Sequence, residues 1–282
     1  MREKIIGKQF DEERALYNLT GTDVVDCVFA GPADGESVLK EARDVGLENC
    51  SFSLRYPLWH VEGFRLENCD MDDKTRAAIW YAKDAEIRNS RLHGIKAVRE
   101  CSNISIANSS IISEEFGWKS ENVTIKDSEL HAMYVFFDSK NVVLENVKMT
   151  GKYSFQYMEN LTIRNCNLDT KDAFWHSKNV KVYDSVVKGE YLAWFSEGLT
   201  LVNCHIIGTQ PLCYCKDLKL INCTMEATDL SFEYSDVEAT VNGHVDSIKN
   251  PKSGTITVDS VGEIIMTDDV VMECNGKVIV RE

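Results

Sequence analysis

The sequence predicts an all-β fold, a single-stranded right-handed parallel β-helix of about eleven coils with three short strands per coil and a C-terminal β cap. Three observations carry this. An Asn or Asp recurs every nineteen residues at Asn89, Asn108, Asp127, Asn146, Asn165, Asp184, Asn203 and Asn222. Around each anchor the order is apolar-x-apolar-x-[Asn/Asp]-small-x-apolar, as in Leu161-Thr-Ile163-Arg-Asn165-Cys166-Asn-Leu168. Five residues before each anchor a second column runs Gly63, Asp84, Asn103, Asn122, Asn141, Asn160, Asn179, Gly198 and Asp217. Gly, Asn and Asp tolerate a left-handed backbone, so both columns read as coil corners. A fixed period near twenty residues means that each coil buries its apolar face only by stacking on the next, and the chirality of parallel crossovers sets the hand.

Read in order, residues 1–45 hold irregular early coils, with anchors at Asp26 and Asn49 and a turn followed by a short helical or looped excursion at Gly31-Pro-Ala-Asp-Gly35-Glu-Ser-Val-Leu-Lys40-Glu. Residues 46–236 are the regular coils. In the coil ending at Asp184, Ala173–His176, Val180–Val182 and Ser185–Val187 read as the three strands from their alternation. Leu66, Ile87, Ile106, Ile125, Leu144, Ile163, Val182, Leu201 and Leu220 form one inward column, and the series from Met71 to Met225 forms another. Residues 237–282 read as the cap, with Asn275-Gly276 as a hairpin turn between Val270-Val-Met and Val278-Ile-Val280. All 282 residues make one domain.

A net charge of -14 argues against a nucleic-acid partner, which needs clustered Lys and Arg. No apolar run reaches the roughly 18 residues that cross a bilayer, and the first ten residues lack the apolar centre of a secretory signal. A cytoplasmic location is expected. Cys50, Cys69, Cys166, Cys204 and Cys223 follow the anchors where other coils carry Ser90, Ser109, Ser128 and Ser185. A position that takes Cys or Ser alike wants a small side chain, not a thiol, so reduced structural cysteines are expected and neither a metal nor a cofactor is called for.

One strand departs from the aliphatic pattern. Nine residues before each anchor stand Trp59, Trp80, Arg99, Trp118, Phe137, Gln156, Trp175, Trp194 and Cys213, a column that holds all five tryptophans. Its neighbours are aromatic or charged, among them His60, Tyr81, Glu100, Lys119, Tyr157, His176 and Phe195 on one side and Lys96, Glu115, Tyr134, Tyr153, Asp172 and Tyr191 on the other. Alternation allows two orientations. If the charged columns face out, the tryptophans point inward; if Leu58, Ile79, Val98, Phe136, Phe155 and Phe174 face in, the tryptophans form an exposed ladder. The cost of burying charge favours inward tryptophans.

Aromatic planes and charges in a row are what a β-helix uses to hold a polysaccharide, whereas a ladder of ring stacks and ion pairs has a purely structural role. Lys171-Asp172-Ala-Phe-Trp175-His176 is the densest cluster, with Glu190 one coil and Glu115 three coils away. Carboxylates one or two coils apart stand roughly 5 to 10 Å apart, which suits glycoside hydrolysis, and a lyase would instead take its base from Lys96, Arg99 or Lys119. The candidate catalytic set is Asp172, Glu190, Glu115, Lys171 and His176. Candidate ligand contacts are Arg76, Lys96, Arg99, Trp118, Lys119, Tyr134, Tyr153 and Tyr191.

The stretches Glu13-Arg-Ala-Leu-Tyr17, Tyr56-Pro-Leu-Trp59, Lys171-Asp-Ala-Phe-Trp175, Gly189-Glu-Tyr-Leu-Ala-Trp194, Gln210-Pro-Leu-Cys-Tyr214 and Phe232-Glu-Tyr-Ser235 resemble the bacterial family called domain of unknown function 3737. The resemblance spans nearly the whole chain. It implies a pectate-lyase-like right-handed β-helix and no activity. Most matching stretches fall on the aromatic strand, which points to that strand as the working surface. Two functions then compete: an intracellular protein that binds or cleaves an oligosaccharide there, by glycoside hydrolysis or lysis, and a non-catalytic scaffold that forms homo-oligomers through the same face.

Overall fold

A computed structural model describes residues 2–281, which group into two compact units, residues 1–143 and 144–282. Each unit is a parallel β-solenoid. In the N-terminal unit the first side of the coils is built from Glu3–Ile6, Thr22–Val25, Arg43–Glu48, Glu62–Glu67, Lys83–Arg88, Ser102–Ala107 and Glu121–Lys126, each paired in parallel with the next. In the C-terminal unit it is built from Glu159–Arg164, Lys178–Tyr183, Thr200–Val202, Leu218–Glu226, Asp236–Lys249, Ser253–Ile265 and Lys277–Val280, again all parallel. With Lys140–Glu145 at the division, fifteen first-side strands occur among the described residues, and no helix.

The number exceeds the eleven coils expected because the early and late corners are not Asn or Asp. Gly7 at φ 62° and Gly243 at φ 83° turn coils that carry no anchor. The excursion expected after Gly31 is also a coil. Ser37, Leu39 and Glu41 donate their amides to the carbonyls of Arg55, Pro57 and Trp59 of the following coil, and Val38 and Leu39 are fully buried. The hairpin expected at Asn275-Gly276 is absent. Lys277–Val280 lies parallel to Thr255–Val258, while the amides of Asn275 and Gly276 bond to the carbonyls of Lys252 and Pro251.

Both corner columns are left-handed. The anchors from Asp26 to Asn222 hold φ between 48° and 55°, and the second column from Gly63 to Asp217 between 48° and 70°. Side chains stack along these corners: Asn103 donates to Asp84 at 2.7 Å and Asn122 to Asn103 at 2.9 Å. In the C-terminal unit Asn203 donates to Asp184 at 2.9 Å. The two aliphatic columns are interior, at 6% exposure or less throughout. The position after the anchor has one job whether it is Cys or Ser. The hydroxyl of Ser90 accepts the amide of Cys69 at 3.0 Å and donates to the carbonyl of Arg88 at 2.7 Å. Cys166 accepts the amide of Val147 and donates to the carbonyl of Arg164. Burial pushes the Cys166 thiol up, and Cys101, alike buried, is pushed up to about 12.

The third side is the irregular one. In the N-terminal unit it has two-residue strands, Leu58–Trp59, Ile79–Trp80 and Val98–Arg99 in one sheet and Glu115–Phe116 paired with Tyr134–Val135. In the C-terminal unit the strand expected over Ala173–His176 is not a strand. Asp172, Phe174 and His176 all have positive φ, as do Tyr191, Ala193 and Phe195 one coil on. This run sends successive left-handed amides to opposite neighbours: Asp172 to the Glu190 carbonyl at 3.0 Å, Phe174 to Ser154 at 2.9 Å and His176 to Trp194 at 3.1 Å. All three left-handed amides are paired, which offsets a backbone cost of about 1 to 2 kcal/mol per left-handed residue.

Candidate functional site

The Leu58, Ile79, Val98, Phe136, Phe155 and Phe174 column is the inward one, at 2% exposure or less. The tryptophans therefore face outward and are half-buried, the reverse of the orientation favoured on the cost of burying charge. The outward face accommodates charge without burying it, because cations lie between the rings. In the N-terminal unit Lys40 sits 4.2 Å over Trp59, Trp59 stacks on Trp80 at 6.0 Å, and the Arg99 guanidinium lies between Trp80 and Trp118 at 5.9 and 5.4 Å. Sequence reasoning missed Lys40. Its place beside Trp59, set by the neighbouring Glu41 amide on the Trp59 carbonyl, was hidden by the irregular spacing around Gly31.

The same N-terminal column neutralises its carboxylates. Arg99 Nη1 bonds Glu115 at 3.1 Å, Lys96 Nζ stands 3.8 Å from the other Glu115 oxygen, and Arg99 Nε reaches Glu100 at 3.2 Å. Glu115 is thus a member of an ion network, with Arg99 and Lys96 as its partners. Tyr134 meets Trp118 edge-on at 5.9 Å. Lys119, at φ 51°, and Arg76 are exposed. The indole Nε1 atoms of Trp59, Trp80 and Trp118 are buried and meet no hydrogen-bond acceptor among the described residues.

In the C-terminal unit the corresponding indoles are anchored. Trp175 Nε1 donates to the Tyr191 carbonyl at 2.6 Å and Trp194 Nε1 to the Gln210 carbonyl at 2.8 Å, and the two rings stack at 5.7 Å. Beside them runs an outer ring stack. Tyr157, His176, Phe195 and Tyr214 follow one another at 5.0, 5.1 and 4.7 Å, with planes within 15° of parallel. His176 thus has a ring on each face and belongs to this stack. Rings that face one another turn only their edges to solvent, so the expected platform of aromatic planes for sugar rings is not available in this column.

What this unit does offer is an acid in an unusual setting. Lys171 ends the strand Asn167–Lys171, and the chain then turns through Asp172 at φ 50°, a conformation that Asp tolerates. That turn tucks the carboxyl inward until Asp172 is 8% exposed. Burial raises the Asp172 carboxyl above its ordinary range; Lys171 and Lys152 pull it back and Glu190 pushes it further up. One coil along, Lys171 Nζ holds Glu190 at 2.7 Å and lies 5.7 Å over the Tyr191 ring. That bond raises the Lys171 ammonium above its ordinary range, so it stays charged. Gln156 Nε2 donates to the Asp172 carbonyl at 3.1 Å, and Lys152 lies 5.0 Å over Tyr153. Asp172, Lys171, Glu190 and Tyr191 are therefore brought together as the sequence predicted. Lys152 joins them electrostatically; it was not among the sequence-predicted site residues, although it stands nineteen residues, one coil, before Lys171.

The profile of the family described as "Protein of unknown function (DUF3737)" matches residues 3–279. The chain belongs to that family. Among curated proteins none matches the DUF3737 chain. Solved structures with a similar chain path include PfbA, a surface adhesin of Streptococcus pneumoniae, at 10% identity and TM-score 0.45, covering 98% of this chain and 85% of the adhesin. A polygalacturonase from Erwinia carotovora ssp. carotovora aligns at 8% identity and TM-score 0.32 over 98% and 87% of the two chains. The A-module of the mannuronan C-5 epimerase AlgE6 from Azotobacter vinelandii aligns at 9% and 0.32, over 98% and 87%. The likeness is one of fold alone. Among the described residues no helix of the DUF3737 chain is long and apolar enough to cross a membrane, and no three His, Cys, Asp or Glu side chains are grouped to hold a metal.

Proposed function

We propose that the protein binds an oligosaccharide across the third side of its C-terminal unit and is equipped to cleave it by acid–base chemistry centred on Asp172. The supporting observation is the contrast within one cluster: a carboxyl that burial raises above its ordinary range, Asp172, next to a carboxylate paired with Lys171, Glu190. Two neighbouring carboxyls in unlike surroundings, one buried and one held by a cation, are the starting point for a general acid and its partner. Asp172 is the acid. Glu190, released from Lys171 as substrate enters, is the base or charge stabiliser, and Tyr191, Tyr153 and Lys152 bound the subsite. Cleavage would pass the proton of Asp172 to the departing glycosidic oxygen while a water molecule, giving its proton to Glu190, adds to the anomeric carbon.

A broad panel of neutral and acidic oligosaccharides, incubated with the wild-type chain and with Asp172→Asn, tests this. Asn keeps the left-handed turn, so loss of turnover in the variant with retained binding supports the assignment. An absence of both binding and turnover across the panel would remove it. A protein interface is favoured by one separate observation, the 50% and 46% exposure of Tyr157 and Phe195 in the ring stack. In that case Phe195→Ala would convert an oligomer to a monomer in light scattering, while the Asp172 variant would leave assembly unchanged.

A further inference from the structure

A second surface of the C-terminal unit carries a regular polar track. On the first side of the coils Thr162, Lys181, Thr200 and Lys219 stand in register on successive strands. They floor an open cleft of about 480 Å³. Hydroxyl and ammonium alternate along it, so its chemistry repeats every two coils, about 10 Å at the usual strand spacing. One wall is the Asn corner, and it is broken. Asn179 donates to Asn160 at 3.3 Å, but the next corner residue is Gly198 at φ 70°, and among the described residues no donor reaches Asn179 Oδ1. A Cβ at Gly198 would lie 3.2 Å from that oxygen, so the glycine keeps it open to the cleft.

The two ammoniums differ. Lys219 is paired with Asp217 at 3.0 Å, whereas Lys181 makes no ion pair among the described residues, its register neighbours being Thr162 and Thr200. The equivalent side of the N-terminal unit also has clefts, of about 380 and 290 Å³, but they are acidic: Arg2 is paired with Asp23 and Asp44, Arg65 lies 4.0 Å from Asp23, and Lys4 shares the smaller cleft with Asp23, Glu48 and Glu67. An unpaired cation in an open, hydroxyl-rich cleft is a recognition element.

We infer that this cleft binds a linear glycan in which neutral and carboxylate-bearing sugars alternate, laid along the coil axis with one carboxylate on the unpaired Lys181, the next displacing Asp217 from Lys219, and neutral units over Thr162 and Thr200. The floor has no apolar pocket for peptide side chains, and its strands are paired on both edges, which leaves no backbone for strand addition. A polynucleotide places a charge on every unit and would meet a chain of net charge -14. This inference does not depend on the chemistry at Asp172, which lies on another side of the coils.

The test is titration calorimetry of the full chain at low salt with a hyaluronan octasaccharide, a polygalacturonate octasaccharide, cellohexaose and an oligothymidylate. The alternating polymer should bind, and Lys181→Gln should weaken it by about tenfold, the effect of one lost charge-assisted contact. Arg65→Gln removes the same charge from the other unit and should leave the affinity unchanged. Failure of the hyaluronan probe to bind, equal affinity for polygalacturonate or oligothymidylate, or an unaltered affinity in Lys181→Gln would each overturn the assignment.

Discussion

The outward tryptophans of the two units occupy one column of the repeat, yet they are held in opposite ways. In the N-terminal unit Trp59, Trp80 and Trp118 share their column with Lys40 and Arg99, their indole N–H groups are orphaned, and the nearby carboxylate Glu115 is held between Arg99 and Lys96. In the C-terminal unit Trp175 and Trp194 are pinned by carbonyls of the next coil, the rings stack on rings, and the carboxyl at Asp172 is buried with only partial compensation. A repeat thus fixes where side chains go without fixing their state. Where a cation lies within the ring column the nearby carboxylate is ion-paired, and where the indoles stack on one another the neighbouring acid is buried and raised.

The largest effect that sharpens this contrast concerns backbone hand. Phe174 is interior and left-handed at φ 64°, whereas Phe116 is interior with ordinary φ. Replacing either by Ala should cost about 3 to 5 kcal/mol in urea unfolding. At Phe174, Gly should be better than Ala by about 1 kcal/mol, and at Phe116 the order should reverse. The same order at both sites would break the comparison. Next, Trp175→Phe leaves the Tyr191 carbonyl without its donor and should cost about 1 to 3 kcal/mol, while Trp118→Phe removes a donor that has no acceptor and should be neutral or stabilising. Arg99→Gln should lose about 1 kcal/mol of ring–cation attraction and make stability less sensitive to salt.

The smallest effect is a pH dependence. A carboxyl whose folded pKa lies above its unfolded value favours the folded state most when both states are protonated, below about pH 3.9, and that contribution is lost as pH rises through the folded pKa. Asp172→Asn should therefore unfold at higher urea than wild type near neutral pH, with the gain vanishing toward pH 3.

The corners and interior columns were legible in the sequence because each has a local cause. Only Asn, Asp or Gly turns a tight left-handed corner cheaply, and Leu66 to Leu220 had no alternative to burial. The direction of the tryptophan strand was not legible, since Leu58 and Trp59 are both apolar and the deciding factor, cations set between rings, arises from coils 19 to 21 residues away. The left-handed Phe174 and Ala193 could not be read either, because no propensity favours such residues there and only their interlocking amides hold them. Grouping Asp172 with Glu190 followed from the period, but the pairing of Glu115 required knowing that Arg99 and Lys96, sixteen and nineteen residues earlier, reach it from the adjacent coil.

The most direct test of the central claim is a carboxyl-carbon NMR titration of Asp172, assigned by its loss in Asp172→Asn. The account predicts a midpoint clearly above the ordinary aspartate value of about 3.9, shifting again when an oligosaccharide fills the site. A midpoint at or below that value, indifferent to every sugar added, would contradict it.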